Sequence, residues 1–267
     1  MDVQSRIARA SSTLTPAERR VAEVVLARPQ LVAFGTVAEL ADAAASGAAT
    51  VVRLASKVGY DGFTGLQIAV QADLARQLRP AAERIREAHP GDPADAIRRQ
   101  VELETRNVVA SLQRIEPDVL EQIVQHLADT DRRVHVLSGD ASDGVARQFI
   151  ADLASLRPGV AQISGNDVQV RRAVGQIDSG DVVVVLDLRR YDRWVVAAAH
   201  HAATLSPYLV AVSDSLLSPF AAVAAQSLTV EAGGSGPFDS HVGTLAVLNL
   251  LVAGVAERLR SEIGRAH

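Results

Sequence analysis

Thr50, Arg53 and Lys57 stand three, four and seven residues apart, so a helix that carries them turns all three to one side. That trio has a specific chemistry. Arginine can donate two hydrogen bonds to O6 and N7 of guanine, threonine can touch a thymine methyl or a phosphate, and lysine neutralises phosphate. The three lie in "VAELADAAASGAATVVRLASKVGYDG", residues 37 to 62, where Leu40, Ala41, Ala44, Val51 and Leu54 have the offsets of two short helices joined by a tight turn. Small residues at such a crossing let the helices approach closely. Taken alone, the hairpin serves equally well as an ordinary core element of a helical domain.

The elements that would position it are helix-patterned throughout the first 78 residues. Thr15, Pro16 and Glu18 form a capping box with proline at the first helical position, and Val21, Val24 and Val25 then share one face. Thr36 and Glu39 repeat the device before Val37 and Leu40, and Gly59 stops the helix that bears Arg53. A further helix, "GLQIAVQADLARQLR", leads into the proline-punctuated connector "RPAAERIREAHPGDPAD". Residues 93 to 130 resume as amphipathic helices. From 134 the period changes to short β-rich runs, "VHVLS", "GVAQIS", "DVVVVLDL", "YLVAVSD" and "SLTVEA", most of them separated by enough chain for a helix. The continuous "VVVVL" belongs to a parallel strand covered on both faces. The expectation is an all-α domain over 1–79, a helical linker over 80–130, and an α/β layered domain of about five strands over 131–267.

Composition narrows the setting. Of 267 residues 48% are hydrophobic, enough for a substantial core, and none is cysteine, which excludes disulfides and thiolate metal sites and suits the cytoplasm. The first twenty residues lack the apolar run of a secretory leader. The longest apolar stretch, "VGTLAVLNLLVAGVAERL", contains Asn249 and runs into charges, as a buried core helix does rather than a membrane span. The net charge of −4 hides an asymmetry: nine cationic residues against seven acidic ones over 1–80, and 18 against 24 beyond. A mildly basic front and an acidic back suit a nucleic-acid-facing module on a domain that meets something else. Lys57 is the sole lysine.

"LTPAERRVAEVVL", "TVAELADAAASGAATVVRLASKVGYDGF" and the layered segment behind them resemble the RpiR family of bacterial transcriptional regulators, most specifically over "ATVVRLASKVGYDGF". The resemblance implies an N-terminal helix-turn-helix joined to a C-terminal sugar isomerase (SIS) domain, an α/β three-layer fold with a five-stranded parallel sheet. It also implies Ser46, Thr50, Arg53 and Lys57 as DNA-binding residues, and a dimer or tetramer on a pseudo-palindromic double-stranded operator. One departure lies in the turn, where the family usually has Gly-Val-Ser and this chain has Ala45-Ser46-Gly47. Ser46 then falls one place early to cap the second helix, and Gly47 substitutes as a cap at a cost of a few tenths of a kcal/mol.

The same resemblance directs attention to the carboxyl ends of the first and third strands, where open α/β sheets bind ligands. "SGDAS" offers Ser138, Gly139, Asp140 and Ser142 ahead of a helix, and "DLRRYD" offers Asp187, Arg189 and Arg190 in place of the usual hydroxyl-rich phosphate loop. Ser240 and His241 open the last helix, and Ser213, Asp214 and Ser218 follow the fourth strand. The implied ligand is a small anionic effector derived from a sugar. Asp140 would repel a phosphate there, whereas two arginines could hold one.

Two enzyme readings compete. Gly139-x-Ala141-x-x-Gly144 approximates a dinucleotide fingerprint but lacks the middle glycine that admits the pyrophosphate. A sugar-phosphate isomerase needs a positioned base, for which His241 and Glu231 are the candidates. His200 and His201 are adjacent and diverge on a helix, so they do not make a metal pair. No cofactor, metal, catalytic residue or membrane partner is therefore expected.

Overall fold

The computed structural model describes residues 3–78, 92–189, 191–216, 218–236 and 238–265. The chain divides near residue 90 into two compact units.

In the first unit, α1 (Val3–Ala10), α2 (Pro16–Ala27), α3 (Pro29–Phe34), α4 (Val37–Ala43), α5 (Ala48–Lys57) and α6 (Gly62–Leu78) follow one another with short connections. Both capping boxes form. Thr15 Oγ1 accepts from Glu18 N while Glu18 Oε2 accepts from Thr15 N at 2.9 Å, and Thr36 with Glu39 does the same. Val21, Val25, Leu40, Ala41, Ala44, Val51, Leu54 and Leu66 fill one core. Burial of these apolar faces, at about 25 cal/mol per Å², is the main stabilising contribution to short helices that would be marginal alone.

The second unit is built on a five-stranded parallel sheet, β1 (Val134–Ser138), β2 (Val160–Ile163), β3 (Val182–Leu186), β4 (Tyr208–Ser213) and β5 (Gln226–Thr229), in the order β2-β1-β3-β4-β5. The remaining helices are α7 (Pro93–Leu112), α8 (Pro117–Ala128), α9 (Asp143–Leu156), α10 (Asp167–Val174), α11 (Arg193–Thr204) and α12 (Val242–Arg265). One face of the sheet packs on α8, α9 and α12 through Ile123, Leu127, Phe149, Leu153, Val247 and Leu251. The other packs on α10 and α11 through Val170, Val174, Val195 and Ala199. With both faces covered, every residue of β3 is buried, which is why "VVVVL" shows no alternation.

One expectation changes form. In the segment 80–130, read as a linker, residues 79–91 lie outside the described residues, while α7 and α8 belong to the second unit: α7 packs along α12, and α8 supplies core residues. The amphipathic faces seen in sequence needed an apolar partner, and the sheet domain provides it. Helix α12 is long and apolar enough over Val242–Arg260 to cross a membrane, yet Val247, Leu248, Leu251 and Val255 lie in the sheet core.

Candidate functional site

Two places in the fold concentrate the expected chemistry. The first is α5 and the turn before it. Helix α4 ends with Ala45 in the left-handed region at φ +45°, and the Ser46 amide donates back to the Ala41 carbonyl at 2.9 Å. This is the backbone reversal that a glycine makes without strain, and alanine there costs about 1–2 kcal/mol. Arg20 offsets part of that cost by donating to the Ala44 and Ala45 carbonyls, both at 3.3 Å. Gly47 is the N-cap of α5 and gives it no side-chain cap. The Ser46 hydroxyl is buried and has no partner among the described residues, so it does not cap α5.

Of the four residues expected on the reading face, Arg53 is exposed, and its Nη2 donates to Thr50 Oγ1 at 2.9 Å. Thr50 itself is buried, so its hydroxyl orients the guanidinium instead of facing outward. Lys57 Nζ donates to Glu18 Oε2 at 2.9 Å and to the Thr13 carbonyl at 2.7 Å, which draws it to the start of α2. Glu18 is buried, and the Lys57 ammonium together with the Thr15 amide holds its carboxyl below the usual range. A helical period places these residues on a common side but does not say which edge of that side a neighbouring helix covers. The exposed residues of α5 are Ala48, Ala49, Val52, Arg53, Ser56 and Lys57, and with Lys57 drawn toward Glu18 the outward face centres on four of them, Ala49, Val52, Arg53 and Ser56. The spacing three, four and seven holds for these four as well, and apolar Ala49 and Val52 hid it from a search for polar residues.

The second place is the carboxyl end of the sheet, where strand order reverses between β1 and β3. Ser138 ends β1 buried, with its Oγ 3.5 Å from Gln162 Nε2. Gly139 is required by close approach, since a Cβ built on it would lie 2.4 Å from Asp187 Oδ1. That carboxylate, and not a cofactor, is what the glycine admits, in contrast to the dinucleotide fingerprint. Asp187 is buried and accepts from the amides of Leu188 at 2.9 Å and Asp192 at 2.7 Å. Burial pushes its carboxyl up to about 7; those two amides lower it in part, and the charges of Asp192 and Asp214 raise it further.

Arg189 sits at φ +53°, and its amide donates to Asp214 Oδ1 at 2.9 Å, which also accepts from the Tyr191 hydroxyl at 2.9 Å. Burial raises both the Asp214 carboxyl and the Tyr191 phenol. Arg189 Nη1 lies 3.4 Å from Asp239 Oδ1. Arg190 lies outside the described residues. Asp140 is exposed, with its amide donating to Asp192 Oδ2 at 2.7 Å. Ser142 is wholly buried at the N-cap of α9, and its Oγ has no partner among the described residues.

Ser240 departs from the group. Its Oγ donates to Glu104 Oε2 at 2.6 Å and accepts from the Val242 amide at 3.2 Å, so it caps α12 and ties the preceding loop to α7. His241, beside it, makes a hydrogen bond with the Ala141 backbone, and burial depresses its ring pKa. Its Nδ1, like Thr244 Oγ1, is buried without a partner among the described residues. Glu231, the other candidate base, is paired with Arg114 at 2.6 Å. The fold thus gathers Ser138, Gly139, Asp140, Ser142, Asp187 and Arg189, and adds Tyr191, Asp192, Asp214, Asp239 and His241. Asp214 and His241 stood among the sequence candidates, whereas Tyr191, Asp192 and Asp239 were not singled out, because only the meeting of neighbouring strand ends brings them to the site.

Comparison with known proteins agrees with both halves. Residues 1–77 match the helix-turn-helix domain of the rpiR family. The HTH-type transcriptional regulator HexR of Pseudomonas aeruginosa is 28% identical over 265 residues, which span 96% of this chain and 88% of that one. The sugar isomerase domain of an RpiR transcription factor from Sphaerobacter thermophilus is 28% identical, with a TM-score of 0.55 over 62% of this chain and 97% of its own. The Vibrio vulnificus NanR protein, solved in complex with ManNAc-6P, shares the fold at 20% identity and a TM-score of 0.57, covering 99% of this chain and 96% of its own. Residues 1–77 are thus a helix-turn-helix domain of the rpiR family, the doubly covered parallel sheet behind them has the fold of an RpiR sugar isomerase (SIS) domain, and over nearly its whole length the chain is similar to HTH-type transcriptional regulators.

Proposed function

We propose that this regulator reads a pseudo-palindromic operator as a dimer or tetramer in the cytoplasm, and that a small anionic, sugar-derived effector bound at the carboxyl ends of β1 and β3 controls it. The observation that carries the DNA half is the exposed face of α5, where Thr50 fixes Arg53 among Ala49, Val52 and Ser56. An arginine oriented this way can address guanine in the major groove, and the small apolar residues can meet thymine methyls. Two such helices require two half-sites about one helical turn apart, hence a symmetric oligomer. The effector half is supported by the clustering of Arg189, Asp187 and the buried Ser142 at the switch point, and by the ManNAc-6P complex of the NanR relative. An effector alters DNA affinity only by binding one arrangement of the protein better than another.

The reading assigns no catalysis. Of the two candidate bases Glu231 is held by Arg114 at 2.6 Å, and the curated relatives are named as transcriptional regulators. Selection of genomic DNA by the purified chain, followed by binding at several salt concentrations, tests the proposal. One sequence class should outcompete random DNA, and failure of any sequence to do so refutes it. Turnover of a sugar phosphate would favour an isomerase instead.

A further inference from the structure

The 3-10 turn Asp140–Ser142 runs directly into α9, so the Asp140 amide is the first of a row of N–H groups at the start of a 14-residue helix. Such groups favour anions. Here the first is already taken by Asp192 Oδ2 at 2.7 Å. Asp192 occupies the N-cap position of α11, where an aspartate ordinarily accepts from its own helix and contributes about 0.5–2 kcal/mol. Its side chain makes no such bond; it reaches across to the neighbouring strand end instead. At the N-cap of α9 the fully buried Ser142 Oγ has no partner among the described residues, nor has Nδ1 of His241, which is bonded to the Ala141 backbone.

We propose that Asp192 is a two-position latch: its carboxylate fills the anion seat at the Asp140 amide, and an anionic effector group displaces it, upon which Asp192 returns to cap α11. This rests on reading the strand ends as the effector site. The exchange leaves no bond unreplaced: the Asp140 amide trades one oxygen acceptor for another, while Ser142 Oγ gains a partner and α11 its missing cap. Two positions of the Asp192 side chain are then close in energy, which is the condition for a ligand to shift it. Asp187, buried beside the latch, holds its proton more readily than an ordinary carboxylate, which limits the negative charge an incoming anion meets.

Inorganic phosphate titrated calorimetrically into the full-length protein at pH 6.5 tests the latch. A site closed about 90% of the time binds about 10-fold more weakly than an open one, so Asp192→Ala should raise phosphate affinity by about 10-fold. Asp192→Ser, which can still cap α11, should do the same and guards against misfolding of the alanine variant. Asp140→Asn removes a neighbouring charge but leaves the latch, and should gain less than about twofold by screening of an exposed group. Ser142→Ala combined with Asp192→Ala should lose the gain. Equal affinity in wild type and Asp192→Ala, no binding by either, or an equal gain in Asp140→Asn would each overturn the latch. Those outcomes leave DNA selection untouched, whereas loss of DNA selectivity with the phosphate gain intact would sink the regulator reading alone.

Discussion

Asp187 should make the second unit less stable as pH rises, opposite to the usual behaviour of a protein carboxylate. Its folded pKa is about 7, against the ordinary value of 3.8, because burial penalises the charged form. Below pH 3.8 both folded and unfolded chains hold the proton, and the contribution to stability is complete. Between 3.8 and about 7 the unfolded chain releases its proton first, so stability falls through that window and levels off above it. At 1.36 kcal/mol per unit, the shift of about three units is worth about 4 kcal/mol, of which about 2.5 falls between pH 5 and pH 8. Asp187→Asn removes the titration but keeps only one of the two oxygens that accept the Leu188 and Asp192 amides, a loss that lowers its stability by an amount independent of pH. Urea unfolding of wild type and variant at pH 5, 6, 7 and 8 should therefore give stabilities that diverge by about 2–3 kcal/mol across the series, the variant gaining on the wild type as pH rises. Parallel stability–pH curves would show that the Asp187 carboxyl is not raised and that the argument from its burial is mistaken.

Other expectations follow from the helix-turn-helix unit. Ala45→Gly relieves the left-handed strain of about 1–2 kcal/mol while adding chain entropy to the unfolded state, so it should be more stable by a net of about 0.5–1 kcal/mol, read as an upward shift of its thermal transition; a destabilised variant would mean that the turn is not strained. Gly47→Ser, at a position where an added Cβ meets nothing within 4 Å, should supply the missing cap of α5 and stabilise by a few tenths of a kcal/mol, read by urea midpoint. Lys57→Met should weaken DNA binding by loosening α5 from Glu18 without changing the slope of log affinity against log salt. A slope reduced by about one would mark Lys57 as a phosphate contact after all. Arg53→Ala should cost about 1–3 kcal/mol and relax preference at one base pair in a selection experiment, and an unchanged preference would remove it from direct readout.

The sequence by itself determined the elements and their class. Capping boxes at Thr15 and Thr36, the apolar stripe of α5 and the unbroken "VVVVL" are local signals, written within a few residues of where they act. The departure of the turn at Ala45 was legible too, although its cost became visible only through its positive φ and the carbonyls held by Arg20. Tertiary structure decided which polar groups are available. Lys57 is spent on Glu18, 39 residues away in sequence, and Thr50 is turned inward to orient Arg53. Helices α7 and α8 looked like a connector because an amphipathic stripe does not name the surface that will cover it. At the strand ends, parallel pairing set Asp140, Asp187, Asp192 and Asp214 near one another, and burial rather than residue type raised the carboxyls of Asp187 and Asp214. Periodicity encodes a face, but contacts between segments far apart in the chain decide what that face meets, and there the amino-acid order alone carries no physical constraint.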